Sequence, residues 1–413
     1  MTQRSDNQLR AQMSLYYDFL KTVADQGDQY AKLLQGIEDP YPAYERIRAG
    51  GPLVRSALGV WVTGDHGVAN KVLRDRRFGV RKVDGSKMPD FVSFDNSMLG
   101  LDPPDHTRLR RLTIPALNPR MADRWRPRAT EICDRLIDDI LAEGDRFDLM
   151  PQFAQRLPNT VIADLVGIPD EHRPRFARLS RRIAPLLDGV VSFHKVRGVN
   201  LAIDELTEMF VEIIALRKAE PADDLISQML PAVDDGRLGM HELLPLCMFL
   251  PLAGTETTVN LIGNGVRALL QHPEQWALLR EEPDHAAGAV EETLRFDPPV
   301  QQYRRVAHEE IELEGELLPV DGELAILAAA ANRDPAVFPD PGRFDITRRS
   351  KSDTLSFSSG IHYCLGAALA RVEAEAALRA IATRLPGLRQ DGPARRRDSF
   401  IIRGLLQFPL AVQ

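Results

Sequence analysis

The spacing of apolar residues along the chain predicts a protein that is mainly α with a minor β region. Helical periodicity dominates from residue 105 to residue 296. The breaks in it fall near four prolines: Pro158, Pro169, Pro185 and Pro221. Late in the chain, one face of a long helix is predicted by apolar residues at nearly i, i+4, i+7 and i+11, namely Leu365, Leu369, Val372 and Ala376.

Strand-like alternation is confined to short segments. The stretch 58–65, LGVWVTGD, alternates, and so does 305–327, where Glu314-Gly315 and Asp321-Gly322 predict hairpin turns. The tail from residue 400 onward is also strand-like. The first 35 or so residues predict a polar helical extension, and no repeat or linker divides the rest of the chain.

Composition and charge exclude several classes of protein. The chain has 413 residues and a net charge of −7. Its length and its hydrophobic content of 44% are sufficient for a large core. No run of eighteen apolar residues occurs, and the first twenty residues lack an apolar signal core. We therefore expect a soluble, cytoplasmic protein with no membrane segment. The acidic balance and the short basic clusters argue against a nucleic-acid partner.

One cysteine stands out chemically. The three cysteines lie more than a hundred residues apart and form no CxxC pair, which argues against a disulfide framework or a zinc ribbon. Cys364 follows a glycine- and serine-rich loop and precedes a helix, whose N-terminus favours a thiolate. A thiolate there could act as a nucleophile with His362 as base, although residues two apart in a loop face each other poorly. It could instead ligate a haem iron.

The stretch SFSSGIHYCLGAALAR resembles the haem-binding signature of the cytochrome P450 superfamily. Phe357, Gly360, His362, Cys364 and Gly366 match that signature. Ser358 departs from it, because the family usually has glycine there, so the loop has to accommodate a Cβ. The resemblance covers roughly residues 38 to 410. It implies a single domain of cytochrome P450 fold over 38–413, preceded by the extension 1–37.

Two further motifs follow the family's order. In EETLRF, Glu292 and Arg295 are three apart on a helix and resemble the family's ion pair, with Arg343 of FPDPGRF as the third member. Taken alone, such a pair is typical of a surface salt bridge that contributes under ~1 kcal/mol.

The segment 253–258, AGTETT, resembles the family's acid–alcohol helix. There Gly254 would let the cofactor approach the backbone, Thr257 would donate a hydrogen bond and Glu256 would relay protons. A mid-helix threonine can also bond its i−4 carbonyl without any chemical role. Pro251 is expected to distort this helix.

The resemblance also assigns the cofactor, haem b, and the residues that hold it. Cys364 would ligate the iron, with Gly254 and Phe357 beside the macrocycle. The propionates would be contacted by His106, Arg110, Arg305 and His362. The family has an arginine of this kind after the helix that carries the ion pair, and Arg305 fits that position better than Arg304, although the two could exchange roles.

The implied activity is that of a monooxygenase that inserts one atom of dioxygen into a small organic substrate, by hydroxylation or epoxidation. Members of this type often tailor polyketides or other secondary metabolites, such as antibiotics, and the substrate could arrive free or attached to a carrier protein. Electrons would come from a ferredoxin and its reductase, and a monomer is expected. The substrate pocket is predicted to include Phe91, Phe94, Met98, Leu250, Ala253, Val300 and Gln302, with core packing as the alternative for the apolar ones.

Three alternatives remain open on sequence alone. A peroxide-driven haem enzyme of the same fold would typically lack the acid–alcohol pair. A haem-binding or gas-sensing protein without catalysis would need no proton relay. A cysteine hydrolase would need no iron.

Overall fold

The computed structural model describes residues 6–86, 98–185, 193–349, 352–397 and 399–412. Phe91 and Phe94 lie outside these ranges. The described helices are α1 (Asp6–Asp25), α2 (Gln29–Leu34), α3 (Tyr41–Ala49), α4 (His66–Arg74), α5 (Asp105–Leu117), α6 (Pro119–Glu143), α7 (Arg156–Val166), α8 (Arg173–Ile183), α9 (Phe193–Ala219), α10 (Leu225–Asp234), α11 (Met240–Gln271), α12 (Pro273–Glu281), α13 (Ala286–Phe296), α14 (Ala328–Ala331) and α15 (Ala367–Arg384).

Short strands complete the secondary structure; helices contain 60% and strands 10% of the residues that the structure describes. The described strands are β1 (Val54–Arg55), β2 (Trp61–Thr63), β3 (Phe78–Gly79), β4 (Arg146–Asp148), β5 (Tyr303–Ala307), β6 (Ile311–Leu313), β7 (Glu316–Leu318), β8 (Glu323–Ile326), β9 (Leu388–Gln390), β10 (Arg395–Arg396), β11 (Leu405–Gln407) and β12 (Pro409–Val412). The predicted mainly α class is confirmed.

The largest core lies between α6, α7, α11, α13 and α15. Helix α11 is central to it and runs unbroken for 32 residues. Pro251 lies inside this run, so the distortion expected there does not end the helix. Proline lacks the N–H that would bond the Cys247 carbonyl, and Pro245 also lies inside the helix, so packing of the buried residues on both sides keeps the helix continuous despite the missing bonds. Among the residues described, every helix is too short or too polar to span a membrane.

The main sheet has the strand order β1-β2-β8-β5-β3. The turn predicted at Glu314-Gly315 is confirmed, because it joins the antiparallel strands β6 and β7 with φ of 52° and 80°. The second predicted hairpin is wrong. After Asp321-Gly322 the chain enters β8, which pairs with β5 and β2 rather than with β7.

The predicted N-terminal helical segment contains α1 and α2, which pack through Leu20, Val23, Ala24 and Ala31. Asp28 caps α2 by accepting from the Ala31 N–H at 2.8 Å, and its other oxygen accepts from the Ser56 hydroxyl at 2.9 Å. The Tyr30 hydroxyl donates to Gln302 Oε1 at 3.1 Å. These bonds fix the segment to the rest of the chain, while a domain boundary at residue 37 stays a prediction.

Candidate haem-thiolate site

The cysteine loop connects a short helical turn, Gly360–His362, to the start of α15. The Cys364 N–H donates to the Phe357 carbonyl at 2.8 Å, which closes the loop on itself. Gly360 has φ +67° and lies against the end of α4, where an added Cβ would overlap the Leu73 carbonyl oxygen. A glycine is therefore required at 360 both by conformation and by space.

Ser358 adopts φ +62°, so the sequence places a side chain where the backbone favours glycine. Its N–H donates to the Leu355 carbonyl at 2.9 Å and to the Tyr303 hydroxyl at 3.0 Å. Its buried hydroxyl oxygen has no hydrogen-bond partner among the residues that the structure describes. The loop keeps its shape because neighbouring bonds hold a strained residue in place.

We expect Ser358→Gly to raise the free energy of unfolding of the haem-loaded protein by roughly 1 kcal/mol, because it removes the left-handed strain. The measurement is urea unfolding followed by the haem absorbance. Ser359→Gly is the matched control, because Ser359 has an ordinary φ of −148° and should gain nothing. Equal effects of the two substitutions would contradict the strain argument.

The charge environment of Cys364 differs from the prediction. Helix α15 begins at Ala367, and burial raises the pKa of the Cys364 thiol. The N–H of Gly366 and the guanidinium groups of Arg110 and Arg371 act in the opposite direction without reversing that effect. Burial of the thiol thus opposes the effect expected of the helix N-terminus. A coordinating metal would deprotonate the thiol outright.

The predicted propionate contacts converge beside this loop. The rings of His106 and His362 lie 4.3 Å apart, and Arg110 Nη2 donates to the Tyr363 carbonyl at 2.7 Å. Within the described residues, three buried nitrogens of this cluster have no hydrogen-bond partner: Nδ1 of His106, Nε2 of His362 and Nη2 of Arg305. Arg304 is instead paired with Glu323.

The same groups are electrostatically suited to an anion. Burial, followed by the charge of Arg305, lowers the pKa of His362 to about 3. Burial likewise lowers the pKa of His106, and it lowers that of Arg305 to about 10, so Arg305 keeps its charge at neutral pH. Buried donors without partners and buried cations both call for an anionic acceptor. The residues present therefore fit the two carboxylates of a haem.

The predicted ion pair is present and deeply buried. Arg295 donates to both carboxylate oxygens of Glu292, at 2.8 and 2.7 Å, and each side chain is 2% exposed. The third member is not the Arg343 side chain, which is 65% exposed and lies 3.7 Å from Asp345. Arg348 takes that position, with its Nε 3.2 Å from Glu292.

Arg343 contributes only its backbone, because its carbonyl accepts from Arg295 at 2.9 Å and from Arg348 at 2.9 Å. The prediction of a side-chain role for Arg343 is therefore corrected. The sequence signal that could have found Arg348 is the pair of arginines in FDITRRS, later in the same loop. In the structure, Arg348 of this pair reaches Glu292 on α13.

The ion pair is joined to the cysteine loop through Asn332. Arg295 Nη1 donates to the Asn332 carbonyl at 3.3 Å, and the Asn332 side chain bonds Ser356 Oγ at 2.7 Å and the Leu355 N–H at 2.7 Å. Tyr303 adds a second tie, because its hydroxyl donates to the Ser356 carbonyl at 2.7 Å. Neither Asn332 nor Tyr303 was predicted in this role.

The acid–alcohol segment lies in the middle of α11. Thr257 Oγ1 donates to the Ala253 carbonyl at 2.8 Å, the local bond that a mid-helix threonine can make. The Glu256 carboxylate forms an ion pair with Arg397, which the sequence did not predict. An added Cβ on Gly254 would lie 3.5 Å from Ile162 of α7, so the structure shows a helix contact there, and the cofactor contact stays a prediction.

The predicted pocket residues that the structure describes each make contacts within the protein, and the pocket itself stays a prediction. Met98 packs in the main core, with its sulfur 4.0 Å from Thr113 Oγ1, and Leu250 packs against the same core. Val300 bridges to Ile402, and the Gln302 side chain accepts from Tyr30 in α2. These contacts give Met98 and Gln302 structural explanations, so we base no pocket on them.

The combination of this fold with a loop cysteine beside buried, unpartnered donors is what a haem-thiolate protein requires. The family model described as cytochrome P450 matches residues 60–385. The chain therefore belongs to the cytochrome P450 family, is a monooxygenase, and uses haem b as its cofactor.

Known relatives are similar over nearly the whole chain. Cytochrome P450 monooxygenase PikC of Streptomyces venezuelae is 39% identical, with 90% of this chain and 91% of that protein covered. The biotin biosynthesis cytochrome P450 of Bacillus subtilis is 36% identical, covering 91% and 97%. The crystal structure of P450BioI in complex with an acyl carrier protein that bears hexadec-9Z-enoic acid superposes with a TM-score of 0.85, at 34% identity, covering 91% and 99%.

Proposed function

We propose that Cys364 would ligate the haem iron through its thiolate and that His106, Arg110, Arg305 and His362 would hold the propionates. The observation that carries this proposal is the convergence of three buried, unpartnered nitrogens beside the cysteine loop. Phe357 lies in this loop and is held by a cation–π contact, because the Arg371 guanidinium lies 4.5 Å from the centre of its ring and also pairs with Glu291 at 2.5 Å.

When bound, the haem supplies the activation of dioxygen, and the protein supplies binding, orientation and protons. One oxygen atom enters the substrate and the other leaves as water, so each turnover consumes two electrons and two protons. We assign proton delivery to Glu256 and Thr257, which are consecutive residues in the middle of α11. This pair favours dioxygen over peroxide as the oxidant.

We infer that the electrons come from a small ferredoxin with its reductase. The surface near Cys364 offers cationic groups to an acidic partner. Arg111 is exposed on α5, one residue after Arg110, whereas Arg110 and Arg371 are bound to Tyr363 and Glu291. The side chain most available to a partner in this group is therefore Arg111.

For the substrate, we propose a polyketide or another secondary metabolite, which is hydroxylated or epoxidised. The similarity to a cytochrome P450 of the bacillaene polyketide synthase of Bacillus subtilis, at 33% identity and a TM-score of 0.83, supports this class. A second candidate is an acyl chain attached to a carrier protein. The complex of P450BioI with a loaded acyl carrier protein, in the same fold at TM-score 0.85, favours that candidate.

The ligand assignment is tested by Cys364→Ser. We expect this variant to lose the thiolate-type spectrum of the reduced carbon monoxide complex and to lose monooxygenase turnover, because an alcohol is a far weaker donor than a thiolate. Cys133→Ala is the control, since Cys133 is fully buried in the core and should leave the spectrum unchanged. A thiolate-type spectrum that survives in Cys364→Ser would refute the assignment.

The substrate class is tested by the low- to high-spin shift of the ferric haem. One panel contains free macrolides and polyketides. The other contains acyl chains, each tested both free and loaded on a carrier protein. A shift only with loaded carrier would favour the second candidate. Turnover supported faster by peroxide than by ferredoxin would overturn the dioxygen assignment, and no coupling of NADPH consumption to any product would favour a sensing role.

A further inference from the structure

Tyr303 lies where the main sheet meets the cysteine loop. It is the first residue of β5, and its side chain projects from the same face of that strand as Arg305, two residues further on. Arg304, between them, projects from the opposite face and pairs with Glu323. One face of β5 therefore presents a hydroxyl to the cysteine loop and a cation to the predicted propionate contacts.

Strand β5 is a fixed support for this hydroxyl. It pairs with β8 on one side, where Tyr303 lies opposite Ile326, and with β3 on the other. The backbone position of Tyr303 is therefore set by the main sheet and not by the cysteine loop. The side chain joins the sheet to residues of the loop that come 53 and 55 positions later in the chain.

The Tyr303 hydroxyl makes two hydrogen bonds to the backbone of the loop. It donates to the Ser356 carbonyl at 2.7 Å and accepts from the Ser358 N–H at 3.0 Å. These two groups flank Phe357, whose carbonyl accepts from the Cys364 N–H at 2.8 Å. A single hydroxyl thus holds the peptide groups on both sides of the residue that is bonded to Cys364.

The hydroxyl keeps its proton. Burial, followed by the charge of Cys364, raises the pKa of Tyr303. The hydroxyl therefore stays protonated in the neutral range and remains able to donate to the Ser356 carbonyl. The contribution of Cys364 also shows that the tyrosine and the cysteine are close enough to interact electrostatically.

Ser358 is the residue that needs this support. Its φ of +62° is left-handed, which is strained for a residue with a Cβ and persists only where the surroundings fix it. Its N–H donates both to the Leu355 carbonyl, at 2.9 Å, and to the Tyr303 hydroxyl. The first bond lies within the loop, so the second is the one of the two that anchors Ser358 to the main sheet.

We propose that Tyr303 is a positioning residue for Cys364, and that it acts by holding the strained conformation of the loop at Ser358 against the main sheet. Tyr303 and Ser358 act as a pair, because the hydroxyl compensates for a side chain at a position that glycine would occupy without strain. This inference rests on the proposed role of Cys364 as the iron ligand. It adds the contact that keeps the ligand in place.

The test is Tyr303→Phe, which removes the hydroxyl and keeps the ring. The reduced carbon monoxide complex of this variant should lose its thiolate-type spectrum about tenfold faster than that of the wild type, the effect of about one net hydrogen bond. Tyr44→Phe is the matched control, because the buried Tyr44 hydroxyl donates to Gln301 Oε1 at 2.7 Å, away from the loop, and should leave the rate unchanged. Equal acceleration in both variants would overturn the proposal, as would an unchanged rate in Tyr303→Phe.

Ser358→Gly in the Tyr303→Phe background distinguishes the proposed pair from a general loss of packing. Glycine adopts the loop conformation without strain, so the spectrum of the double variant should be nearly as long-lived as that of the wild type. If Tyr303→Phe alone gives little haem-loaded protein, the double variant should restore it. A double variant as labile as Tyr303→Phe, or one without haem, would overturn the pairing.

Amide hydrogen exchange of the haem-loaded protein provides a readout that depends neither on the spectrum nor on activity. Exchange within residues 355–364 should be about tenfold faster in Tyr303→Phe, unchanged in Tyr44→Phe and restored in the double variant. Unchanged exchange in Tyr303→Phe would overturn the proposal. If the wild-type complex lacked a thiolate-type spectrum, the assignment of Cys364 would fail, while the exchange rates would still decide whether Tyr303 holds the loop.

Discussion

Arg295→Ala is expected to lower the free energy of unfolding by about 3–5 kcal/mol, because it leaves the buried Glu292 carboxylate without its main counter-charge. Both partners are 2% exposed, and the arginine also donates to the carbonyls of Pro341 and Arg343 at 2.9 Å each. These bonds hold the loop that leads to Cys364, so we expect little haem-loaded protein. The measurements are haem absorbance per mole of purified protein and urea unfolding of the protein that remains.

Substitutions of two other arginines of the same loop distinguish the loss of this network from a general loss of positive charge. Arg348→Ala removes donors to Glu292 and to the Pro339 carbonyl, at 3.2 and 2.6 Å, so a loss of about 1.5–3 kcal/mol is expected. Arg343→Ala removes an exposed side chain and should change stability by no more than about 0.5 kcal/mol. The reverse order would show that Arg343 is the third member after all.

Glu256→Gln is expected to lower the rate of product formation by about 10²-fold while leaving haem content and substrate-induced spin shift intact. The amide keeps the shape of the carboxyl group but cannot deliver a proton, and it also removes the charge that pairs with Arg397. Rates of product formation and of NADPH consumption are measured together. A coupled rate equal to that of the wild type would exclude Glu256 from proton delivery.

The neighbouring threonines supply the control. Thr257 and Thr258 make the same local bond, to the carbonyls of Ala253 and Gly254, at 2.8 Å each. Valine at either position removes a hydroxyl and keeps the branched shape. We expect Thr257→Val to divert electrons from product to peroxide and Thr258→Val to leave coupling unchanged. Equal uncoupling in both variants would mean that helix geometry, rather than the Thr257 hydroxyl, is responsible.

Predictions from the sequence were most accurate where the residues concerned lie within one short segment. The helices, the turn at Glu314-Gly315 and the strained position of Ser358 follow from local periodicity and from one unusual residue in a glycine-rich loop. The choice of Arg305 over Arg304 is supported by burial and by an unpartnered guanidinium nitrogen. Local rules suffice in these cases, because backbone conformation and helix faces depend on neighbours within a few residues.

Predictions failed where several segments compete for one group. The choice between Arg343 and Arg348 depends on how a proline-rich loop returns to α13, and spacing does not encode that path. The bond between the Gln302 side chain and Tyr30, from a segment 272 residues away, was likewise not predicted. The second hairpin failed for the same reason, since β8 pairs with distant strands rather than with its neighbour in sequence.

The sequence by itself determined the fold class, the family and the cysteine, because these depend on composition, periodicity and a motif within sixteen consecutive residues. Only the tertiary structure decided which charges meet: Arg348 with Glu292, and Arg397 with Glu256. The physical reason is that ion pairs and buried hydrogen bonds act over a few ångströms in space. Residues that close are often separated by more than a hundred positions in the chain.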